Sequence, residues 1–185
     1  MCTEIYHCFL DGIFRFSNWH QHRISRLITK KVFGTLSDKK IAILGFAFKA
    51  NTNDTRESSA IKICQDLLEE GANLCIHDPK VNLSQIESDL AKKANENFHK
   101  LESESNIKES NWSYFKNVYD AAKGADAIVV LTEWEEYSNL DWKFISKIMR
   151  QPAWIFDSRY ILNVEEIKKV GLNLWRIGDG ANNLI

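Results

Sequence analysis

Short apolar runs alternate along this chain with stretches of helical periodicity, and that alternation restricts its fold more than any other feature. KIAILGF (40–46) is a near-continuous apolar run ending in glycine, the pattern of a parallel strand buried on both faces. After it, ESSAIKICQDLLEE (57–70) sets Ala60, Ile63, Cys64, Leu67 and Leu68 on one helical face, and Gly71 stops the helix. Asp54 with Glu57 has the spacing of a capping box, and Ser58 is an equally good cap. NLCIHD (73–78) is a second strand, closed by Pro79. ADAIVVLT (125–132), AWIFDS (153–158) and LNLWRIG (172–178) repeat the strand pattern, with helices expected near 117–123, 140–149 and 163–170. Residues 82–110 are rich in Lys, Glu, Asn and Ser and read as an exposed excursion with a helix near 84–94. Residues 17–35 read as a helix with Ile24, Leu27 and Ile28 on its apolar stripe and Gly34 at its end, while residues 1–16 match no pattern. Strands separated by helices imply an α/β fold: a doubly wound, mostly parallel, Rossmann-like sheet preceded by an N-terminal helix.

Charge and cysteine usage narrow the function classes. The net charge of −1 provides no global basic field to recruit nucleic acid or an anionic membrane, so any anion must be held by a few placed cations. No apolar run is long enough to span a bilayer, and MCTEIYHCFLDGIFRF (1–16) lacks a basic leader and a small-residue cleavage site. The chain therefore reads as cytoplasmic. Its four cysteines, Cys2, Cys8, Cys64 and Cys75, form no CxxC pair, and Cys64 and Cys75 sit in apolar patterns that favour reduced, buried thiols.

In an open parallel sheet, ligands bind beyond the carboxyl ends of the strands, where loops and helix N-termini converge. The strand ends here deliver Phe46, Phe48 and Lys49; His77, Asp78 and Pro79; Thr132, Glu133 and Trp134; and Ser158 and Arg159. Two cations and several aromatics at one edge suit a phosphate-bearing, flat-based ligand such as a nucleotide. Each residue also has an ordinary reading: Lys49 as a solvated loop lysine, Arg159 paired with Asp157 or Glu133, Trp134 and Phe48 as packing, His77 bonded to backbone. GFAFK is not GxGxxG. Phe46 and Phe48 stand where a dinucleotide fingerprint has glycine, so side chains rather than bare backbone must hold a phosphate here.

KKIAILGFAFKANTNDTRESSAI (39–61) resembles the start of the C-terminal, UDP-binding domain of UDP-glucose/GDP-mannose dehydrogenases. The resemblance continues through HDPKV (77–81), ADAIVVLTEWEEY (125–137), LDWKFI (140–145) and PAWIFDSRYIL (152–162). It implies three parts: an unmatched leader over 1–16, a remnant of the central linking and dimerisation helix over 17–37, and a UDP-sugar-binding domain over 38–185. It implies that Phe48, Lys49 and Arg159 contact the UDP-sugar and that Arg56 touches NAD bound by another domain. The LTEW and FDSR forms lean toward UDP-glucose as the sugar nucleotide. The chain departs from the family at Ala50 and Asn51, where FKKDT has a lysine and an aspartate. It departs also at Asn53 and Ser158, each in place of a glycine. Asn53 is expected to reach the left-handed region its turn needs.

The family oxidises the sugar C6 alcohol to a carboxylate in two NAD-dependent steps through a thiohemiacetal on a cysteine of the other half. The 185 residues contain neither GxGxxG nor that cysteine context. The resemblance thus implies a polypeptide that binds a UDP-sugar and does not turn over alone, with an N-terminal NAD domain as partner and a homo-oligomer left open. The alternative is a non-catalytic nucleotide-sugar-binding or assembly module with the same fold. A generic flavodoxin-like domain stands as a third reading, outside the family.

Overall fold

The computed structural model describes residues 22–32, 34–97 and 111–179. Residues 22–31 form helix α1. There follow β1 (Lys40–Leu44), α2 (Ser59–Glu69), β2 (Asn73–His77), α3 (Leu83–Asn97), β3 (Trp112–Tyr114), α4 (Val118–Ala122), β4 (Ala127–Val130), α5 (Glu135–Ser138), α6 (Trp142–Ile148), β5 (Trp154–Asp157), α7 (Val164–Lys169) and β6 (Asn173–Arg176). Every strand pair is parallel, in the order β3-β2-β1-β4-β5-β6. The chain winds outward from β1 to β3, crosses back over the sheet, and winds outward again from β4 to β6. The order reverses between β1 and β4, which opens a crevice beyond their carboxyl ends. In register, Leu44 lies opposite His77 and Val130, and Val130 opposite Asp157, so four loops leave the sheet at one level.

The central strands explain their own burial. Ile41 to Leu44 and Ala127 to Val130 are fully buried, as continuous apolar runs between two helical layers must be. On one face α2 buries Ala60, Ile63, Cys64 and Leu67. Its cap is Ser58, whose hydroxyl accepts from the Ala60 amide, rather than Asp54. Helix α1 buries Ile28, with Val32 buried in the turn just after it, and is held to α2 through Asp66, whose carboxylate accepts from Ser25 at 2.7 Å and meets His22 Nδ1 at 2.7 Å and Lys62 Nζ at 3.1 Å. Gly34, in the left-handed region at φ 76°, ends α1 where the sequence places a stop.

Three expectations change. The stretch from 82 onward is not wholly an exposed excursion: α3 buries Ile86 and Leu90, and its Asp89 bonds to Thr55. A sixth strand, β3, extends the sheet beyond β2, although its three residues alternate without an apolar run because it is an edge strand with half-buried aromatics. The left-handed residues of the first βα loop are Gly45, Asn51 at φ 65° and Glu57 at φ 60°, and Asn53 is not among them. The leader at 1–16 and residues 98–110 of the excursion lie outside the described residues.

Candidate functional site

The loop after β1 is tied down from beneath. At Gly45, φ is +93° and a Cβ would sit 2.4 Å from the Thr132 Cβ, so only glycine lets the strand end pass the loop after β4. Thr132 Oγ1 donates to the Ala47 carbonyl at 2.7 Å, and Ser58 Oγ donates to the Phe46 carbonyl at 2.8 Å. The amides of Phe46 and Ala47 donate to one oxygen of Asp78 at 2.7 and 3.0 Å, and Trp134 Nε1 donates to the same oxygen at 3.3 Å. The other Asp78 oxygen accepts from the Lys80 and Val81 amides, both at 2.9 Å. Anchored in this way, the loop turns Phe48 and Lys49 out to solvent.

The cations gather unevenly. Lys49 makes no hydrogen bond or ion pair among the described residues. Arg159, on the loop after β5, donates through Nε to the Leu131 carbonyl at 2.6 Å, and the same Nε lies 3.5 Å from Glu133 Oε2. Glu133 Oε1 in turn accepts from the Ala50 amide at 3.4 Å. One carboxylate therefore bridges the Lys49 loop and Arg159, whose two terminal nitrogens have no partner among the described residues. Lys80, whose role the sequence reading missed, completes the rim: its Nζ donates to the Asn51 carbonyl at 3.2 Å and stands 5.9 Å from the Trp134 ring centre. Its only signal in the sequence was its place two residues after a strand end. On the far side, Ser158 and Arg159 join Ile24, Leu27, Ile63 and Trp175 around a groove of about 540 Å³.

Arg56 does not join this cluster. Its side chain is 88% exposed and forms a two-pronged pair with Asp54, Nε at 2.9 Å and Nη2 at 2.8 Å. The side-chain hydrogen bonds from Arg56 hold the Asp54 carboxyl down at about 2. Asp54 thus shapes the loop through Arg56, and the capping role falls to Ser58.

The aromatics divide in the same way. Trp134 and Phe46 are buried and pack; Phe48, half exposed, presents its ring at the rim. His77 is 5% exposed, with Nδ1 3.0 Å from the Tyr137 hydroxyl. Glu136 lies 3.7 Å away, but burial lowers the imidazole's pKa and raises the Glu136 carboxyl's, so the contact is not a charged pair at neutral pH. Burial pushes the thiols of Cys64 and Cys75 up, which leaves neither as a nucleophile. No cluster of His, Cys, Asp or Glu among the described residues could hold a metal ion.

Chemically, this rim can bind an anion through side chains and cover a flat group with Phe48. It does not fit a dinucleotide's pyrophosphate at the first turn, because the amides that would face it are turned inward and the outward positions carry Phe48 and Lys49.

A family model described as the UDP-glucose/GDP-mannose dehydrogenase family, UDP binding domain, matches residues 42–164. The chain is 43% identical to a UDP-glucose 6-dehydrogenase of Caenorhabditis elegans over 177 residues, 94% of this chain and 35% of that protein. It is 44% identical to a UDP-glucose 6-dehydrogenase of Drosophila melanogaster over 162 residues, 88% of this chain and 33% of that one. It spans about a third of the length of these relatives. Its fold matches a UDP-glucose dehydrogenase structure from Pyrobaculum islandicum with a TM-score of 0.62 at 21% identity, covering 89% of this chain and 31% of the other.

Proposed function

The chain belongs to the UDP-glucose/GDP-mannose dehydrogenase family, and on that footing we propose that residues 38–185 are the part of a UDP-glucose 6-dehydrogenase that grips the UDP-sugar. One observation carries this reading: the loop that presents Lys49 and the guanidinium of Arg159 border the same carboxylate, Glu133, beside the point where the strand order reverses. A diphosphate laid across that rim meets two cations from separate βα junctions. Each such charge-assisted contact contributes about 1.5–3 kcal/mol. Phe48, exposed beside Lys49, covers the sugar. UDP-glucose is the favoured sugar nucleotide, in keeping with the names of the relatives.

NAD enters as the cofactor of the complete reaction, UDP-glucose to UDP-glucuronate, and accepts hydride when bound. It is held by another domain, since the turn after β1 does not fit its pyrophosphate. Arg56 reaches toward it from the loop edge, its Nη1 left without a partner among the described residues while Asp54 fixes the rest of the guanidinium. Residues 17–37, which include α1, are the remnant of the central linking and dimerisation region, in a protein that works in the cytoplasm and whose oligomeric state is open. Among the described residues Cys64 and Cys75 supply no activated thiol, and the chain alone is expected to give no NADH from UDP-glucose and NAD. The second reading, a binding module without chemistry, rests on the same two buried, unreactive thiols.

Calorimetric titration with UDP, UDP-glucose and NAD tests the site. Lys49→Ala and Arg159→Ala are each expected to weaken UDP by roughly 10- to 100-fold, with NAD binding weak or absent. Unchanged UDP affinity in both variants would refute the site.

A further inference from the structure

We infer that Asp78 is an internal counter-anion: its carboxylate fills the place a ligand phosphate would take at the first turn, and so dictates that a diphosphate lie along the outer rim. In an open sheet of this strand order, the turn after the first strand and the helix start behind it form a ready phosphate cradle, with amides pointing at the anion. Here the turn is present and its amides do point at an anion, but that anion is part of the protein. One Asp78 oxygen takes the amides of Phe46 and Ala47 and the indole of Trp134; the other takes the amides of Lys80 and Val81. The residue is 1% exposed. Five donors on one buried carboxylate are what a bound phosphate oxygen pair would gather. The start of α2 is closed as well, since Ser58 both caps it and donates to the Phe46 carbonyl.

Two consequences follow from this geometry. The cradle rejects an external phosphate by charge and by volume, which excludes a dinucleotide seated in the usual manner of the fold. The same bonds draw Phe46 and Ala47 inward, and the chain direction then carries Phe48 and Lys49 outward. Asp78 is thus a positioning residue, acting on ligand through the loop it holds. The second consequence rests on the sugar-nucleotide reading above; the first does not.

The test separates the two. In the wild-type chain, titration with inorganic phosphate followed by amide resonances is expected to leave Phe46 and Ala47 unmoved, whereas UDP shifts Phe48 and Lys49. Asp78→Ala opens a carboxylate-sized void over orphaned amides and is expected to lower Tm by roughly 10 °C. Formate, a loose carboxylate of the right size, should recover most of that loss and most of the lost UDP affinity; formamide at equal concentration should not. Asp78→Asn keeps the volume, removes the charge, and is expected to lose stability without any response to formate. Equal recovery by formate and formamide would reduce Asp78 to a space-filler and overturn the inference. So would movement of the wild-type Phe46 and Ala47 amides with phosphate, a measurement that stands even if Asp78→Ala does not fold. Should UDP fail to bind the wild type while formate still restores Tm, the cradle is closed as described and the sugar-nucleotide reading falls by itself.

Discussion

Gly45 and His77 show how single residues set the terms of the site. Any side chain at Gly45 meets Thr132 and must adopt a left-handed backbone, so Gly45→Ala combines overpacking with strain. It is expected to cost roughly 2–4 kcal/mol, read as a lower urea midpoint with an unchanged slope. His77 gives a pH signature. Burial lowers its pKa in the folded chain below the ordinary value of 6.5, with Asp78 opposing that shift. On acidification below that value the unfolded chain takes up a proton first, so stability falls until the folded imidazole is protonated in turn. Glu136, raised by burial and by the neighbouring Asp78 charge, contributes with the opposite sign, and burial keeps the Tyr137 phenol protonated throughout. Comparing the pH dependence of unfolding for the wild type and His77→Gln isolates the histidine. The variant should lose less stability between about pH 7 and pH 5.

At the scale of elements, the clasp between α1 and α2 depends on one carboxylate. Asp66→Ala removes the partner of His22, Ser25 and Lys62 together and is expected to cost roughly 2 kcal/mol. Hydrogen exchange should then rise in α1 while β1 and β4 stay protected, because the apolar contacts of Ile28 and Val32 are separate from the sheet's own ladder. The elements that sequence periodicity revealed are those whose burial is one-sided or complete. β1 and β4 read as unbroken apolar runs and α2 as a clean stripe, and all three form within a few residues of expectation. β3 was hidden because an edge strand of three residues has too few positions for a period to register. α3 was misjudged because its polar majority masks two buried side chains, Ile86 and Leu90, that decide its docking. The site divides along the same line. Strand ends named Lys49, Glu133 and Arg159, since topology alone puts them at one edge. The inward grip of Asp78 on the turn depends on side-chain direction, which no spacing encodes.

For the molecule as a whole, binding and folding are linked. If the rim takes UDP, free ligand at 100 times its Kd should stabilise the folded chain by about 2.7 kcal/mol. A thermal shift with UDP that vanishes in Lys49→Ala, at a rim residue that does not line the groove of Ile24, Leu27 and Arg159, would tie that gain to the rim rather than to the groove beneath α1. Glu133 stands between the Lys49 loop and the arginine before any ligand arrives. Glu133→Gln should therefore tighten UDP by roughly two- to fivefold, the range of a half-exposed ion pair. The native arrangement is a trade of one negative charge for another, so its occupancy responds only shallowly to salt. The displaced side chain also remains at hand to expel what replaced it, favouring quick departure over tenacious hold.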